Sequence, residues 1–272
     1  AGGPAEEAGI QVGDLLLAVE GEDVLPLGMD GTRDLVRGEE GTHVNMHFSR
    51  DGAEYDVSVE RRSIETPVVT GELLDGNIGY IKIDNFDDRC ADETIAFVQE
   101  MIEQGAQALL FDVRFNPGGY ADELVKVLDY LLPEGDLFRS VDYAGREEVD
   151  TSDASCVELP MAVLVNEDSY SAAEFFAAAL QEYEWATIVG SQTYGKGNFQ
   201  TAFYLSDGSM VNLSIGKYYT PSGKSLTETG VTPDVVVDLD DEQYALLYYN
   251  ALEQADDPQF QAAIDTLKQK IS

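Results

Sequence analysis

Residues 161–180 read M-A-V-L-V-N-E-D-S-Y-S-A-A-E-F-F-A-A-A-L, and their order decides the fold class. Five consecutive apolar residues, Met161–Val165, make a strand with no polar face, the pattern of a parallel sheet covered on both sides by helices. A polar turn follows, and then an apolar helix begins at Ala172. Ser171 stands where the turn becomes the helix, with Glu174 three residues on. Ser-x-x-Glu at that place is a capping box, in which the hydroxyl and the glutamate each take one orphan amide. The same place suits a nucleophile, because free amides and the positive helix end can hold an oxyanion developing beside the hydroxyl. From these residues alone both readings stand.

Outward from that unit, strands and helices alternate between residues 67 and 238. Periodicity predicts strands over 79–83 and 108–113, helices over 92–104 and 121–132, a hairpin-like pair over 137–148, a helix over 172–183, and strands over 187–189, 199–205, 210–218 and 235–237. The order is that of an α/β fold with antiparallel strands added late. Residues 241–271 carry helical periodicity and are expected to pack back on the core. Residues 1–66 read as a β-rich module, with strands near 14–19, 43–49 and 54–60, a helix around 29–37 and a turn at Asp51-Gly52. Residues 61–67, where a charged pair gives way to proline, mark the boundary. The expected division is therefore 1–66, 67–240 and 241–272.

The 16 basic and 52 acidic residues leave a net charge of −36, which disfavours nucleic acid and anionic membrane surfaces as partners. Cys90 and Cys156 match no zinc spacing, and no metal motif is present. In an exported protein the two cysteines could bridge; otherwise they are small buried residues. No apolar run is long enough to span a membrane and no signal peptide opens the chain. It begins abruptly on Ala1-Gly-Gly-Pro, as a trimmed piece of a longer precursor would.

A second stretch, Val189-Gly-Ser-Gln-Thr-Tyr-Gly-Lys-Gly-Asn-Phe-Gln200, places Lys196 between two glycines after an apolar run. It fits seven positions of the phosphate-binding G-x-x-x-x-G-K-[ST] loop, then fails. Gly197 replaces the hydroxyl residue, and strand-like sequence follows where that motif needs a helix. The rival reading makes Lys196 the base for a nucleophile elsewhere. The only histidines, His43 and His47, lie in the N-terminal module, so a Ser-His-Asp arrangement would have to form between domains. A lysine serves as base only when neutral, which asks its surroundings to lower an ordinary pKa of about 10.4 toward 7, at roughly 4–5 kcal/mol. The neighbours of Lys196 are uncharged, as that requires, while the other six lysines read as solvated.

Ser171-Ala-Ala-Glu174, with Lys196 25 residues after the serine and Gln200 four further on, resembles the Ser-Lys site of the C-terminal processing peptidases, the tail-specific serine proteases. Asp112-x-Arg114-x-Asn116-Pro-Gly-Gly119, Asp207-Gly-Ser209, Tyr219-Thr-Pro-x-Gly223, Gly230-Val-x-Pro-Asp234 and Asp257-Pro-Gln259 support it in order along the chain. The N-terminal stretches Gly3-Pro-Ala-Glu-Glu-Ala-Gly-Ile10, Gly13-Asp-Leu-Leu16, Val36-Arg-Gly-x-x-Gly-Thr42 and Arg50-Asp-Gly52 resemble a PDZ domain of the kind attached to bacterial processing proteases. The resemblance implies a mixed-sheet, crotonase-like protease core behind a partly truncated PDZ-like module whose first strand and carboxylate loop precede residue 1. It implies Ser171 as nucleophile, Lys196 as general base, Gln200 as its orienting partner, and an oxyanion hole from the amides of Ala172 and of Gly118 or Gly119. It further implies protein C-termini as substrates, gated entry through a tunnel, no cofactor or metal, an exported location in a bacterial envelope, and leaves a homo-oligomer open. Ser169-Tyr170-Ser171 departs from the family, which usually has alanine between the serines.

Bland readings stand beside these. Asn116-Pro-Gly-Gly is an ordinary turn, Asp112 and Arg114 are a structural pair holding it, and the N-terminal module can be a spacer. Two other functions compete: a latent relative that binds apolar tails or lipophilic ligands, and an acyl-CoA enzyme, which would need a basic patch this chain lacks.

Overall fold

The computed structural model describes residues 2–64 and 66–271; Ala1, Ser272 and Glu65 of the boundary stretch lie outside it. The chain divides into two compact units, Ala1–Thr66 and Pro67–Ser272.

The first unit comprises α1 (Pro4–Glu7), β1 (Leu15–Val19), β2 (Glu22–Asp23), α2 (Gly28–Val36), β3 (His43–Arg50) and β4 (Ala53–Glu60). Its antiparallel sheet has the order β2-β1-β3-β4. Alternation along β3 buries Val44, Met46 and Phe48 with Val19 and Val59 and turns His43 and Asn45 to solvent. Asp14 accepts from Arg50 at 2.6 and 2.7 Å and from Tyr55 at 2.7 Å. The Arg50 guanidinium, through those bonds, holds the Asp14 carboxyl well below the usual range. Both histidines stay in this sheet, His47 flanked by Asp56 and Glu54.

The second unit runs β5 (Val69–Leu74), β6 (Ile78–Ile83), α3 (Cys90–Glu103), β7 (Ala108–Asp112), α4 (Ala121–Leu131), β8 (Gly135–Asp142), β9 (Glu147–Ser152), β10 (Met161–Val165), α5 (Ala172–Glu182), β11 (Ala186–Gly190), β12 (Asn198–Tyr204), β13 (Met210–Tyr219), β14 (Val235–Val236), α6 (Asp241–Tyr248) and α7 (Pro258–Ile271). A six-stranded sheet has the order β14-β11-β10-β7-β6-β5, parallel from β6 to β14 with β5 antiparallel at one edge. Met161 of the central β10 pairs with Leu109 on one side and Ala186 on the other.

All five residues of β10 are buried, because helices cover both faces. Met161, Val163 and Val165 pack with Val98, Leu128 and Phe176 of α3, α4 and α5, whereas Ala162 and Leu164 pack with Phe260, Ala263 and Leu267 of α7. Burying such side chains fully stabilises by about 1.5–3 kcal/mol each, which is why the apolar run signals a central strand. The mixed α/β class and the PDZ-like first unit are as the sequence predicts.

Two details differ from the expected elements. The tail is two helices; α7 packs on the sheet, while α6 buries no residue and rests its tyrosines on the half-buried Phe115. The pair expected over 137–148 is the longer β8–β9 ladder, which joins the late strands in a sheet ordered β12-β13-β8-β9. Cys90 is buried and Cys156 half-buried, both as free thiols, and burial pushes the Cys90 thiol up to about 12.

Candidate active site

The parallel strands β7, β10 and β11 end at one edge of the sheet, and the loops after them meet there, the usual place for a site in such a sheet. Their backbones are joined directly. Tyr170 N–H donates to the carbonyl of Asn116 at 3.1 Å and Tyr194 N–H to that of Ser169 at 3.2 Å. Ser169 Oγ donates to the Val113 carbonyl at 2.7 Å and accepts from Asn166 N–H at 3.0 Å, while Asn166 Oδ1 accepts from Phe115 N–H at 2.9 Å. Ser169 Oγ and Asn166 Oδ1 thereby bridge the loops, and the polar turn found in the sequence buries Asn166 and Ser169 while leaving Glu167 exposed.

Ser171 is the N-cap of α5, with φ +58° and ψ −124°. A residue with a side chain holds such a backbone at a cost of order 1–3 kcal/mol, and only where its surroundings over-determine it. Glu174 supplies the determination. Its fully buried carboxylate accepts four bonds: Thr193 Oγ1 and Gly195 N–H at 2.6 Å on Oε1, and Ser171 N–H at 2.9 Å and Lys196 N–H at 2.8 Å on Oε2. Four donors fill the four lone-pair directions of a carboxylate. One side chain thereby ties the serine turn to the lysine loop. The sequence shows Glu174 only in its capping-box half; the bonds to Thr193, Gly195 and Lys196 have no signal in the side-chain pattern.

The lysine loop is held by tight glycines. A Cβ on Gly195 would lie 3.0 Å from Thr229 N, and one on Gly197 would lie 2.6 Å from Thr227 Oγ1. Lys196 is half-buried, and its amine lies 5.2 Å from the centroid of the Tyr170 ring, which packs against Tyr194 at 5.5 Å. No hydrogen bond joins that amine to the Ser171 hydroxyl among the described residues. Gln200 is exposed on β12 beside a bulge and makes no hydrogen bond to Lys196 among the described residues.

Of the two glycines, Gly118 touches the serine. A Cβ there would lie 2.7 Å from Ser171 Cβ and 2.9 Å from Ala172 N, and its φ is +88°. Its own N–H is taken by Asn116 Oδ1 at 2.8 Å, whereas Asn116 Nδ2 donates to the Ile83 carbonyl at 2.7 Å. Gly119 is pressed on β6's neighbour Phe86, whose carbonyl oxygen a Cβ would approach to 2.1 Å. The amides of Gly119 and Ala172 have no acceptor among the described residues.

Behind this turn the Asp112–Arg114 pair is larger than the sequence suggests. Arg114, 4% exposed, donates to Asp112 at 2.7 Å, to Asp257 Oδ2 at 2.7 Å and to Gln259 Oε1 at 3.1 Å. Burial alone would raise the Asp112 carboxyl, but the charge and bonds of Arg114 reverse this and hold it below its ordinary value. Phe115, at φ +60°, is packed edge-on by Tyr244 and Tyr248 of α6, and the Tyr244 hydroxyl donates to Asp168 in the serine turn.

With this geometry, residues 77–237 match the model of peptidase family S41, more than half of the chain, and residues 1–50 match a PDZ domain. The chain belongs to peptidase family S41. It is 34% identical to a carboxyl-terminal-processing protease of Synechocystis sp., over 98% of the chain and 63% of that protein. A solved structure of a photosystem II D1 C-terminal processing protease is similar at 31% identity and TM-score 0.59, covering 87% of this chain and 66% of that one. A putative S41 protease from Bacteroides fragilis shares the fold at 19% identity and TM-score 0.70, over 99% of this chain and 76% of that one. The chain thus spans just under two thirds of the length of the Synechocystis relative. Among the described residues no helix is long and apolar enough to cross a membrane, and no cluster of ligating side chains suits a metal ion.

Proposed function

We propose that this member of family S41 is an exported serine endopeptidase that cleaves the C-terminal tails or unfolded segments of proteins, with residues 67–240 as its proteolytic core. The observation that carries the reading is the Glu174 carboxylate, which binds the amides of Ser171 and Lys196 on one oxygen and so fixes a nucleophile and a base relative to each other. Ser171 Oγ attacks the scissile carbonyl carbon as its proton passes to the neutral Lys196 amine. The oxyanion is held by the amides of Ala172 and Gly119; the Gly118 amide is engaged by Asn116, and Gly118 serves by letting its backbone approach the serine. The C–N bond then breaks, the leaving amine takes the proton from Lys196, and water hydrolyses the Ser171 ester with Lys196 again as base. Gln200 orients the lysine once substrate brings β12 against it.

Ser171→Ala and Lys196→Ala are each expected to lower cleavage of a denatured protein by about a thousandfold or more, with circular dichroism and unfolding midpoint unchanged. Mass spectrometry of the products measures this. Wild-type turnover in either variant would refute the assignment.

A further inference from the structure

Three of the seven lysines find carboxylates, Lys82 reaching Asp84 at 3.3 Å, Lys126 reaching Glu123 at 2.6 Å and Lys224 reaching Glu182 at 3.1 Å, whereas Lys217, Lys268 and Lys270 make no ion pair among the described residues. Lys196 has no carboxylate within ion-pair distance among the described residues, and what its amine meets is the face of the Tyr170 ring, 5.2 Å from the centroid. An aromatic face attracts an ammonium and has no such attraction for a neutral amine. The ring is held in place. Its residue's N–H is bonded to Asn116, Ser169 before it is tied to Val113, and the Tyr194 ring packs on it at 5.5 Å. Tyr170 has only its side-chain rotamer left to change.

We propose that Tyr170 is a positioning residue for Lys196, its ring holding the protonated amine away from the Ser171 hydroxyl in the resting enzyme. This rests on Ser171 and Lys196 being nucleophile and base. An apolar substrate side chain that takes the ring's face displaces the ammonium, which gives its proton to solvent water as the chain covers the site, and the neutral amine then meets the hydroxyl as base. Water meeting an empty site finds the lysine engaged.

The test is the rate at which a fluorophosphonate modifies Ser171 in the absence of substrate, located by mass spectrometry. A cation–π contact at a partly exposed site corresponds to about a two- to fivefold population bias. Tyr170→Ala is therefore expected to speed modification about two- to fivefold, and Tyr170→Phe, which keeps the ring, to restore the wild-type rate. An independent readout is the methyl signal of reductively 13C-methylated Lys196, assigned by its loss in Lys196→Arg. Ring current displaces it upfield in the wild type and Tyr170→Phe, and the displacement should vanish in Tyr170→Ala. Modification that Tyr170→Ala leaves unchanged or slows, a Tyr170→Phe that behaves like Tyr170→Ala, or a Lys196 signal indifferent to both variants overturns the role of Tyr170 alone. No modification of Ser171 in any variant overturns the nucleophile assignment, and this role with it.

Discussion

Glu174 and Arg114 are both buried, and each fastens a loop at the carboxyl edge of the parallel sheet, yet they do so by opposite means. Glu174 is filled by three backbone amides and one hydroxyl, none of them charged. Arg114 is filled by two carboxylates and a side-chain amide. The difference follows from what lies beside each. A carboxylate with open lone pairs next to Lys196 would capture its amine, whereas one already saturated by amides fixes the loop and leaves the amine for other work. Behind the turn no reacting group needs protection, and full charges can be spent on rigidity.

The comparison breaks most visibly at Glu174. Glu174→Ala strands four donors, two of them buried and two half-buried, and frees the lysine loop from the serine turn. Unsatisfied buried donors cost about 1–3 kcal/mol each before relaxation, so a loss of roughly 3 kcal/mol or more is expected in urea unfolding, with cleavage falling at least about a hundredfold. Glu174→Gln turns one oxygen into a donor facing two donors and is expected to fail nearly as badly. A Gln variant with wild-type kcat/KM would show that the four bonds are packing alone.

How much of this was legible in the sequence depends on how far apart the partners lie. The apolar strand 161–165 and the helix after it could be read because both signals are local: a run without a polar face, then a 3.6-residue period. Ser171, Lys196 and the double glycine stood out for the same reason, each breaking its local pattern. The Glu174 cluster did not, since three of its four donors come from 19 to 22 residues away and two of those three are backbone amides, which no side-chain pattern announces. Arg114 with Asp257 spans 143 residues, and the far partner was marked only as part of Asp257-Pro-Gln259, one of the stretches that carry the family resemblance. The break between α6 and α7 was missed because both halves keep helical periodicity across a segment that folds as a turn. Where Gln200 sits was beyond periodicity altogether: a bulge between Phe199 and Gln200 shifts the register by which its face would be assigned.

Arg114→Ala should separate the two means of fastening. It leaves Asp112 and Asp257 buried without their cation, for a loss of about 3–5 kcal/mol. Well below the unfolding midpoint, kcat should fall less than in Glu174→Ala, because the serine turn and lysine loop keep their own tie. Urea unfolding and kcat measured side by side give the ratio that matters. Activity lost in proportion to stability in both variants would erase the distinction between them.

The smallest effect is a pH dependence that belongs to the charged fastening. Arg114 holds the Asp112 carboxyl below its ordinary value of 3.8, so the folded chain binds that proton less readily than the unfolded one. The stability this contributes is complete above the ordinary value and is lost as the pH falls through the lower, folded one. Asp112→Asn removes the titration and keeps the side chain's shape. With 52 acidic residues the whole chain weakens in acid, so the quantity to read is the difference between the two proteins. From pH 5 to pH 3 the wild type should lose more unfolding free energy than Asp112→Asn, the gap opening only below about pH 4. Parallel acid limbs would mean that Arg114 is satisfied chiefly by Asp257, and that the brace behind the glycine turn is a single pair reaching back from the C-terminal segment.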